Sequence, residues 1–379
     1  MIELRLLGRI RDVAKGEWDA LVGDGSPFVE WTWLDCMEEA GCVGPGTGWL
    51  PQHFALFRDG RLVAAAPAYI KTNSEGEFVF DWSWADLARR MRLQYYPKLV
   101  FASPFTPVTG ERLLALPGED PSDIARAFAT AARAIAREDD QTVLSSAHVL
   151  FPGERELAAW EGAGFMPRLG IQYHWRNQGY GSWDDFLATF NSKRRNQLKR
   201  EALQPAKDGV TIETVASGAI TPDIVSAMFT LYASTVDKFY YGRRYLNLRF
   251  FALVAERCKG HLSWVIAKKN GAIIAGAFNV RKGTSLYGRY WGATEDLPFL
   301  HFNVCYYYGI KQCIAEGLRV FEPGAGGEHK RVRGFAPTLT HSAHWLADER
   351  LGGVIGEFLS REREAVLAHV NGEGPDPDS

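Results

Sequence analysis

The sequence predicts an α/β (α+β) fold of two tandem domains, each a mixed, mostly antiparallel sheet flanked by helices. Three observations carry this expectation. Two β-rich segments, 53–70 and 262–280, are each broken by a turn dipeptide, Asp59-Gly60 and Asn270-Gly271. Such dipeptides supply the positive φ angles of a two-residue hairpin, so both segments read as β-hairpins. Each is followed by a third aromatic-rich strand and then by alternating helix and strand patterns, so both halves follow one order of elements. At 379 residues the chain is long enough for two cores.

Taken in order, the N-terminus reads as a first strand before the approach to a helix. Its charges run throughout, unlike the apolar centre of a signal peptide, so no leader is expected. After the first hairpin, Phe78–Trp84 is expected to be the third strand. Pro121–Arg137 is Ala-rich and opened by Pro, as a helix start favours. Thr142–Leu150 follows as a strand, Glu154–Glu161 as a helix and Phe165–Trp175 as a strand. Gly and polar residues from Asn177 to Ser182 interrupt the pattern, placing the domains at 1–178 and 179–370. In the second half Leu286–Trp291 is the third strand, Pro298–Glu316 a helix, and Arg319–Glu322 and Thr338–Leu346 strands. Hairpins combined with crossover helices give a mixed sheet rather than a doubly wound parallel one. Residues 371–379, rich in Gly, Pro and acids, are expected to be disordered.

Composition narrows the function classes. Hydrophobic content of 46% with 23% charged residues is that of a soluble globular chain. No apolar run reaches the roughly 18–20 residues of a membrane span, so no integral membrane segment is expected. Five cysteines without a CxxC pair argue against structural zinc or a disulfide framework, and point to the cytoplasm. A net charge of −2 gives no global attraction to nucleic acid, so any polyanion must be held by a local patch. There is no GxSxG elbow, no GxGxxG fingerprint and no Walker loop, so no nucleotide cofactor is expected. His341 and His344 have an HxxH spacing, but strand alternation sends them to opposite faces and no further ligands lie nearby. No metal is expected.

The densest chemistry lies at 321–334. A short strand ends in Glu322, a loop with Gly324, Gly326 and Gly327 follows, and His329, Lys330, Arg331 and Arg333 come directly after. Clustered glycines let backbone N–H groups converge on an anion, and adjacent cations complete a phosphate cradle. The competing reading is a solvated turn. A second basic run, Ser192–Glu201, contains Lys193, Arg194 and Arg195; it is either a solvated helix face or a contact for a phosphate backbone. In Tyr287-Gly-Arg-Tyr-Trp-Gly-Ala293, alternation puts Tyr287, Arg289 and Trp291 on one face and Tyr290 on the other. Arg289 there is either a packed cation–π partner or an anchor for a ligand.

Several segments together resemble one family. They are Asp81-Trp-Ser-Trp-Ala85, Tyr95-Tyr-Pro-Lys-Leu99, Pro104-Phe-Thr-Pro-Val-Thr-Gly110, Leu286–Gly292, Glu322-Pro-Gly-Ala325, Gly327-Glu-His-Lys330 and Thr340-His-Ser-Ala-His-Trp345. Over Phe28 to about Glu364 the chain resembles the FemAB-like peptidoglycan biosynthesis or recognition proteins of the GNAT acyltransferase superfamily. The resemblance implies two tandem GNAT-like domains and, by analogy with Fem ligases, transfer of an amino acid from aminoacyl-tRNA to an amine of a peptidoglycan precursor. Two positions depart from the family pattern: Asn303 stands where Glu is usual, and Gly326 where Gln is usual. The glycine-rich pyrophosphate loop of acetyl-CoA enzymes is replaced by Thr294-Glu-Asp-Leu-Pro298, whose acids disfavour CoA in the usual pose.

The expectation is therefore an N-acyl or aminoacyl transferase forming an amide bond on a small-molecule or peptide amine, with aminoacyl-tRNA as donor. The alternatives are an acyl-CoA-dependent N-acyltransferase with an atypical site and a non-catalytic precursor-recognition protein. Glu322 is the expected base, with His329 as its alternative, and Tyr290 protonates the leaving oxygen. Lys330, Arg333, Arg289, the three loop glycines and Lys193, Arg194 and Arg195 are the expected phosphate-binding groups.

Overall fold

The structure is a computed structural model that describes residues 1–138, 141–238 and 243–371. It comprises two compact units. The first contains Met1–Gln172 and the chain from Thr338 onward, and the second Tyr173–Pro337. The division is thus discontinuous, whereas the sequence pattern assigned everything from 179 to 370 to one domain. Residues 372–379, most of the expected disordered tail, lie outside the described residues.

The first unit opens with β1 (Ile2–Leu7), α1 (Lys15–Val22) and α2 (Trp31–Glu39). Next come β2 (Trp49–Pro51), β3 (His53–Arg58), β4 (Arg61–Ala66), β5 (Ala68–Lys71), α3 (Trp82–Arg90), β6 (Lys98–Phe101) and β7 (Leu114–Ala115). They are followed by α4 (Pro121–Ile135), the short pair β8 (Arg137–Glu138) and β9 (Gln141–Thr142), β10 (Ser146–Leu150), α5 (Glu154–Gly162) and β11 (Met166–Arg176). The second unit continues with α6 (Trp183–Ala188), α7 (Ser192–Lys207), β12 (Val210–Ala216), α8 (Pro222–Val236) and α9 (Leu248–Arg257). It then forms β13 (Ser263–Lys269), β14 (Ala272–Lys282), β15 (Ser285–Ala293), α10 (Leu300–Phe302), α11 (Tyr308–Glu316) and β16 (Val320–Glu322). The chain re-enters the first unit with β17 (Ala336–Leu346) and α12 (Glu349–Val370).

Both expected hairpins form. Asp59 and Gly60 have φ of 51° and 80°, Asn270 and Gly271 51° and 82°. The flanking pairs Arg58↔Arg61 and Lys269↔Ala272 make each a two-residue turn between antiparallel strands. In the first unit β1, β3, β4 and β7 form one antiparallel sheet, while β10 pairs parallel with β6 and antiparallel with β17. In the second unit β12 to β15 are antiparallel neighbours, and β15 and β16 run parallel. Each sheet set is mixed and mostly antiparallel, as expected. The Ala-rich α4, capped by the Asp120 side chain, buries Ile124 and Phe128 against Phe54, Leu99, Phe101 and Trp160.

One element differs in kind. Phe78–Trp84 is not a strand: 78–81 is irregular and Trp82–Arg90 is the helix α3. The aromatic alternation that suggested a strand is overridden by helical spacing farther on. Trp84 and Ala88, with partly buried Leu87 and Met91, pack on Leu351, Ile355 and Leu359 of α12. Asp81 also turns inward, where it pairs with Lys98 and accepts a 2.6 Å hydrogen bond from Tyr95 Oη.

That pair belongs to a buried network in the first unit. Lys98 Nζ donates to Glu77 Oε2 at 2.9 Å and to Ser74 Oγ at 3.1 Å. Beside it, His148 Nδ1 and His344 Nδ1 are 2.7 Å apart, and Ser146 and Ser342 hydroxyls each sit 2.8 Å from the far nitrogen of one ring. Burial, then the Lys98 charge, holds His148 down at about 3; burial also drives His344 well below the usual histidine range. Both rings are therefore neutral when folded, whereas an unfolded chain protonates them below roughly pH 6.5. Stability is expected to fall as pH drops below about 6.5, by about 1.4 kcal/mol per pH unit for each ring that the fold keeps neutral, which for His148 extends down to about 3. Urea midpoints at pH 7, 5 and 4 measure this, and His148→Gln should shallow the decline. A midpoint independent of pH would contradict it.

Candidate active site

The second unit contains the junction where a parallel strand pair parts. β15 and β16 register Leu286 with Phe321 and Tyr287 with Glu322, and there the pairing ends. β15 runs on to Ala293, while β16 turns away at Pro323-Gly324. The separation depends on glycine. A Cβ on Gly288 would stand 3.2 Å from Pro323 Cα, and Gly324, at φ 96°, packs toward the Gly288 carbonyl. Glu322 is thus held, 9% exposed, at the last rung before the strands diverge.

A bulge sets the faces of β15 and corrects the simple alternation. Phe278 pairs with Tyr290 and Asn279 with Gly288, so Arg289 is the extra residue of the bulged strand. Directly paired residues share a face, so Tyr290 follows Phe278 and Tyr287 follows Val280 onto one side. Glu322, in register with Tyr287, lies on that side too. Tyr287 and Trp291 therefore do not share a face; Tyr287, Tyr290 and Glu322 do. The Tyr290 ring packs at 5.3 Å from Tyr232 and 5.7 Å from Phe278. The Arg289 guanidinium sits 5.3 Å over the Tyr290 ring.

The glycine loop is built from inside. Gly324, Gly326 and Gly327 have φ of 96°, 72° and 88°. Lys330 is 2% exposed, and its Nζ donates to the Gly324 carbonyl at 2.6 Å. Burial pushes its ammonium down to about 8. Lys330 therefore holds the loop's carbonyls instead of extending from it. Arg333 also turns inward, contrary to the expected phosphate contact. Its Nη2 lies 3.0 Å from Glu201 Oε2, its Nη1 donates to the His329 carbonyl at 2.8 Å, and its guanidinium stacks 3.4 Å over Phe302. His329 is the exposed member, with Nε2 2.9 Å from Tyr306 Oη. Partial burial and the Arg333 and Lys330 charges lower its basicity.

Of the basic helix, Lys193 is exposed, while Arg194 bonds Gln197 at 3.0 Å and Arg195 bonds the Phe190 carbonyl at 3.1 Å. The single acid of the run, Glu201, is the one that turns inward to Arg333. The outer face is left cationic, and it is remote in sequence from the glycine loop yet tied to it by this ion pair.

The helix after β15 explains one departure from the family pattern. It passes through a π turn at Asn303–Tyr307, and buried Asn303 Nδ2 donates to the carbonyls of Glu201 at 2.9 Å and Phe299 at 3.0 Å. A glutamate there would aim a carboxylate at two carbonyl oxygens. Asn303 is a structural fastener. Before it, Glu295 pairs with Lys269 at 2.9 Å, and Phe299 occupies the left-handed region at φ 61°.

Three groups become significant only through tertiary contacts. His174, on β11, has Nε2 3.8 Å from Glu322 Oε2; burial, then Arg176 and Lys330, hold it neutral at about 4, so this contact is no ion pair. Trp291 packs 4.5 Å from His301, which reaches Tyr306 at 5.2 Å, forming an aromatic and imidazole cluster beside His329. Asn279 is 1% exposed at the bulge, and neither side-chain amide atom has a hydrogen-bond partner among the described residues. Only tertiary contacts reveal the roles of His174, His301 and Asn279, because none of the three lies in a motif. Among the described residues there is no group of three or more His, Cys, Asp or Glu that could hold a metal, and no helix long and apolar enough to cross a membrane.

No curated protein matches the chain in sequence. The structure resembles that of FemX, with a TM-score of 0.53 and 14% identity over 91% of this chain and 98% of that one. It resembles L-PGS from Bacillus licheniformis at 0.55, with 10% identity over 92% and 96%. A tandem GNAT protein from the clavulanic acid biosynthesis pathway matches at 0.47, with 13% identity over 92% and 99%. At such identities the likeness to FemX and L-PGS is one of fold. The FemAB-like family model, described as peptidoglycan biosynthesis/recognition, matches residues 9–373. The chain, an α/β protein of mixed, mostly antiparallel sheets, belongs to the FemAB-like family.

Proposed function

We propose that this chain is an N-acyl transferase of Fem type that moves an aminoacyl group from aminoacyl-tRNA to an acceptor amine. The observation that carries the reading is the buried carboxylate of Glu322 at the point where β15 and β16 part. Family membership supports acyl transfer. An attacking ammonium must first lose a proton, and Glu322 is the base placed to take it, with His329 as the alternative. The amine nitrogen bonds to the ester carbon, the C–O bond breaks, the departing ribose oxygen takes a proton from Tyr290, and the second proton released by the new amide nitrogen restores the Tyr290 hydroxyl. Neutral His174 brings no positive charge to Glu322 Oε2, so it does not oppose proton uptake there. The acceptor is a small-molecule or peptide amine of the peptidoglycan-precursor class, and the reaction belongs to the cytoplasm.

The donor follows from charge. Asp296 opposes a pyrophosphate beside the helix at 300, Glu295 being already paired with Lys269, while Lys193, Arg194 and Arg195 line the start of α7. Transfer is expected to require charged tRNA and to be abolished by ribonuclease. Full activity with acetyl-CoA in RNA-free reactions would overturn this and select the acyl-CoA reading. Binding without any turnover would select the recognition-protein reading.

Replacing Lys193, Arg194 and Arg195 with Ala is expected to weaken donor binding and flatten its salt dependence. Each phosphate that is no longer neutralised reduces the log–log slope by roughly 0.7–0.9. An unchanged slope would make this face of α7 simply solvated. Arg289 and the three glycines then remain as the donor-binding groups to test.

A further inference from the structure

The segment 77–82 of the first unit is turned inside out. Glu77 and Asp81 are buried, at 4% and 2% exposure, in the network around Lys98, while Phe78, Phe80 and Trp82 project outward at 36%, 58% and 57%. Hydrophobic burial favours the reverse order, with carboxylates in water and rings in the core. The arrangement is held from several sides. Lys98 and Tyr95 bind the acids, and Arg168 donates to the Phe80 carbonyl at 2.8 Å while paired with Glu362 of α12 at 2.8 Å. Phe78 is kept in the left-handed region at φ 60°. Phe80 and Trp82 stack on each other with centroids 5.0 Å apart. Three aromatic rings are thus fixed in an exposed position, not left on a loose loop.

Charge identifies what they fit. From Trp82, α3 carries an exposed face that continues to Arg89 and Arg90, with Arg92 just beyond the helix end. Across 78–92 the only exposed acid is Asp86, which is already paired with Arg89 at 3.0 Å. The aromatic rings lie at one end of the helix and the arginines at the other, about 11 Å apart at 1.5 Å per residue. The apolar face of α3 is used up against α12, so what is left outward is Phe78, Phe80 and Trp82 beside arginines. This is the composition of a surface that rests on a bilayer interface, with rings among the upper acyl chains and guanidinium groups at the phosphates.

We propose that loop 78–82 and α3 form a docking surface for an anionic lipid membrane. The surface lies wholly in the first unit and does not depend on the assignment of Glu322 or of the donor. It attaches the protein peripherally, through three rings and three cations.

The test is cosedimentation of the full chain with large vesicles of phosphatidylcholine alone or with about 30 mol% phosphatidylglycerol, at about 50 mM and about 500 mM salt. Binding is expected to the anionic vesicles and to be lost at high salt. Phe80→Ser with Trp82→Ser should weaken it at least about tenfold. Arg89→Ala, Arg90→Ala and Arg92→Ala together should remove the preference for phosphatidylglycerol. These side chains are exposed, so melting temperatures should stay near wild type. If a variant does not fold, hydrogen exchange of the unaltered chain replaces it, with vesicle-dependent protection expected across 77–92. No binding to either vesicle overturns the proposal. So does aromatic-independent binding, which would be charge adsorption alone. A dimer that the aromatic substitutions convert to monomer would assign the surface to a second copy of the chain instead.

Discussion

Glu322→Gln is expected to lower kcat by about 10²–10⁴-fold while substrate binding and melting temperature stay near wild type. Gln preserves the shape and one hydrogen-bond acceptor but takes no proton at neutral pH, so the variant isolates the acid–base step. The site makes this separation possible. Glu322 is fixed by the strand register with Tyr287 and by the turn at Pro323, neither of which uses its charge. A decrease confined to kcat places the carboxylate in the transition state. A matching rise in KM with unchanged kcat would mean that it only binds the acceptor ammonium. A folded, fully active Glu322→Gln would remove it from the mechanism and make His329, hydrogen-bonded to Tyr306, the base to test.

The sequence made the scaffold legible where local chemistry decides geometry. Asp59-Gly60 and Asn270-Gly271 mark two hairpins because only a few residue types accept their backbone angles. The Pro-led, Ala-rich α4 was readable for the same reason. Local patterns failed where distant segments compete for one residue. The aromatic run at 78–84 looks like a strand, yet α12, about 270 residues away, recruits Trp84 and Ala88 as a helix face. The bulge at Arg289 is equally silent, since it arises from how β14 and β15 pair. It moved Tyr287 and Tyr290 onto the face of Glu322 and undid the expected alternation. His174 and Asn279 stand outside every motif and become notable only through burial and neighbours. The cations after the glycine loop were visible as a cluster, but their directions were not: burial turned Lys330 to the loop carbonyls and Arg333 to Glu201.

Arg333→Ala is accordingly expected to act on stability before it acts on catalysis. Glu201 is 2% exposed, and its Oε2 receives both Arg333 Nε at 3.2 Å and Nη2 at 3.0 Å. The Tyr307 hydroxyl donates to the same carboxylate oxygen, and Phe302 supports the guanidinium. Truncating Arg333 would strand the carboxylate in the interior without its cation. Breaking one partner of a buried pair costs about 3–5 kcal/mol, or a melting shift on the order of 10 °C for a unit of this size. Replacing both partners, Glu201→Gln with Arg333→Met, removes both charges at similar volume and should recover most of that stability. The cycle distinguishes this role from the anion anchor suggested by the sequence. An anchor variant keeps its melting temperature and raises KM, and the double replacement then rescues nothing. If Arg333→Ala melts like wild type, the ion pair contributes little and Arg333 is again a candidate for binding substrate. If it melts low and the double variant does not recover, the fastener is the stack on Phe302 and the bond to the His329 carbonyl, which Met restores only in volume.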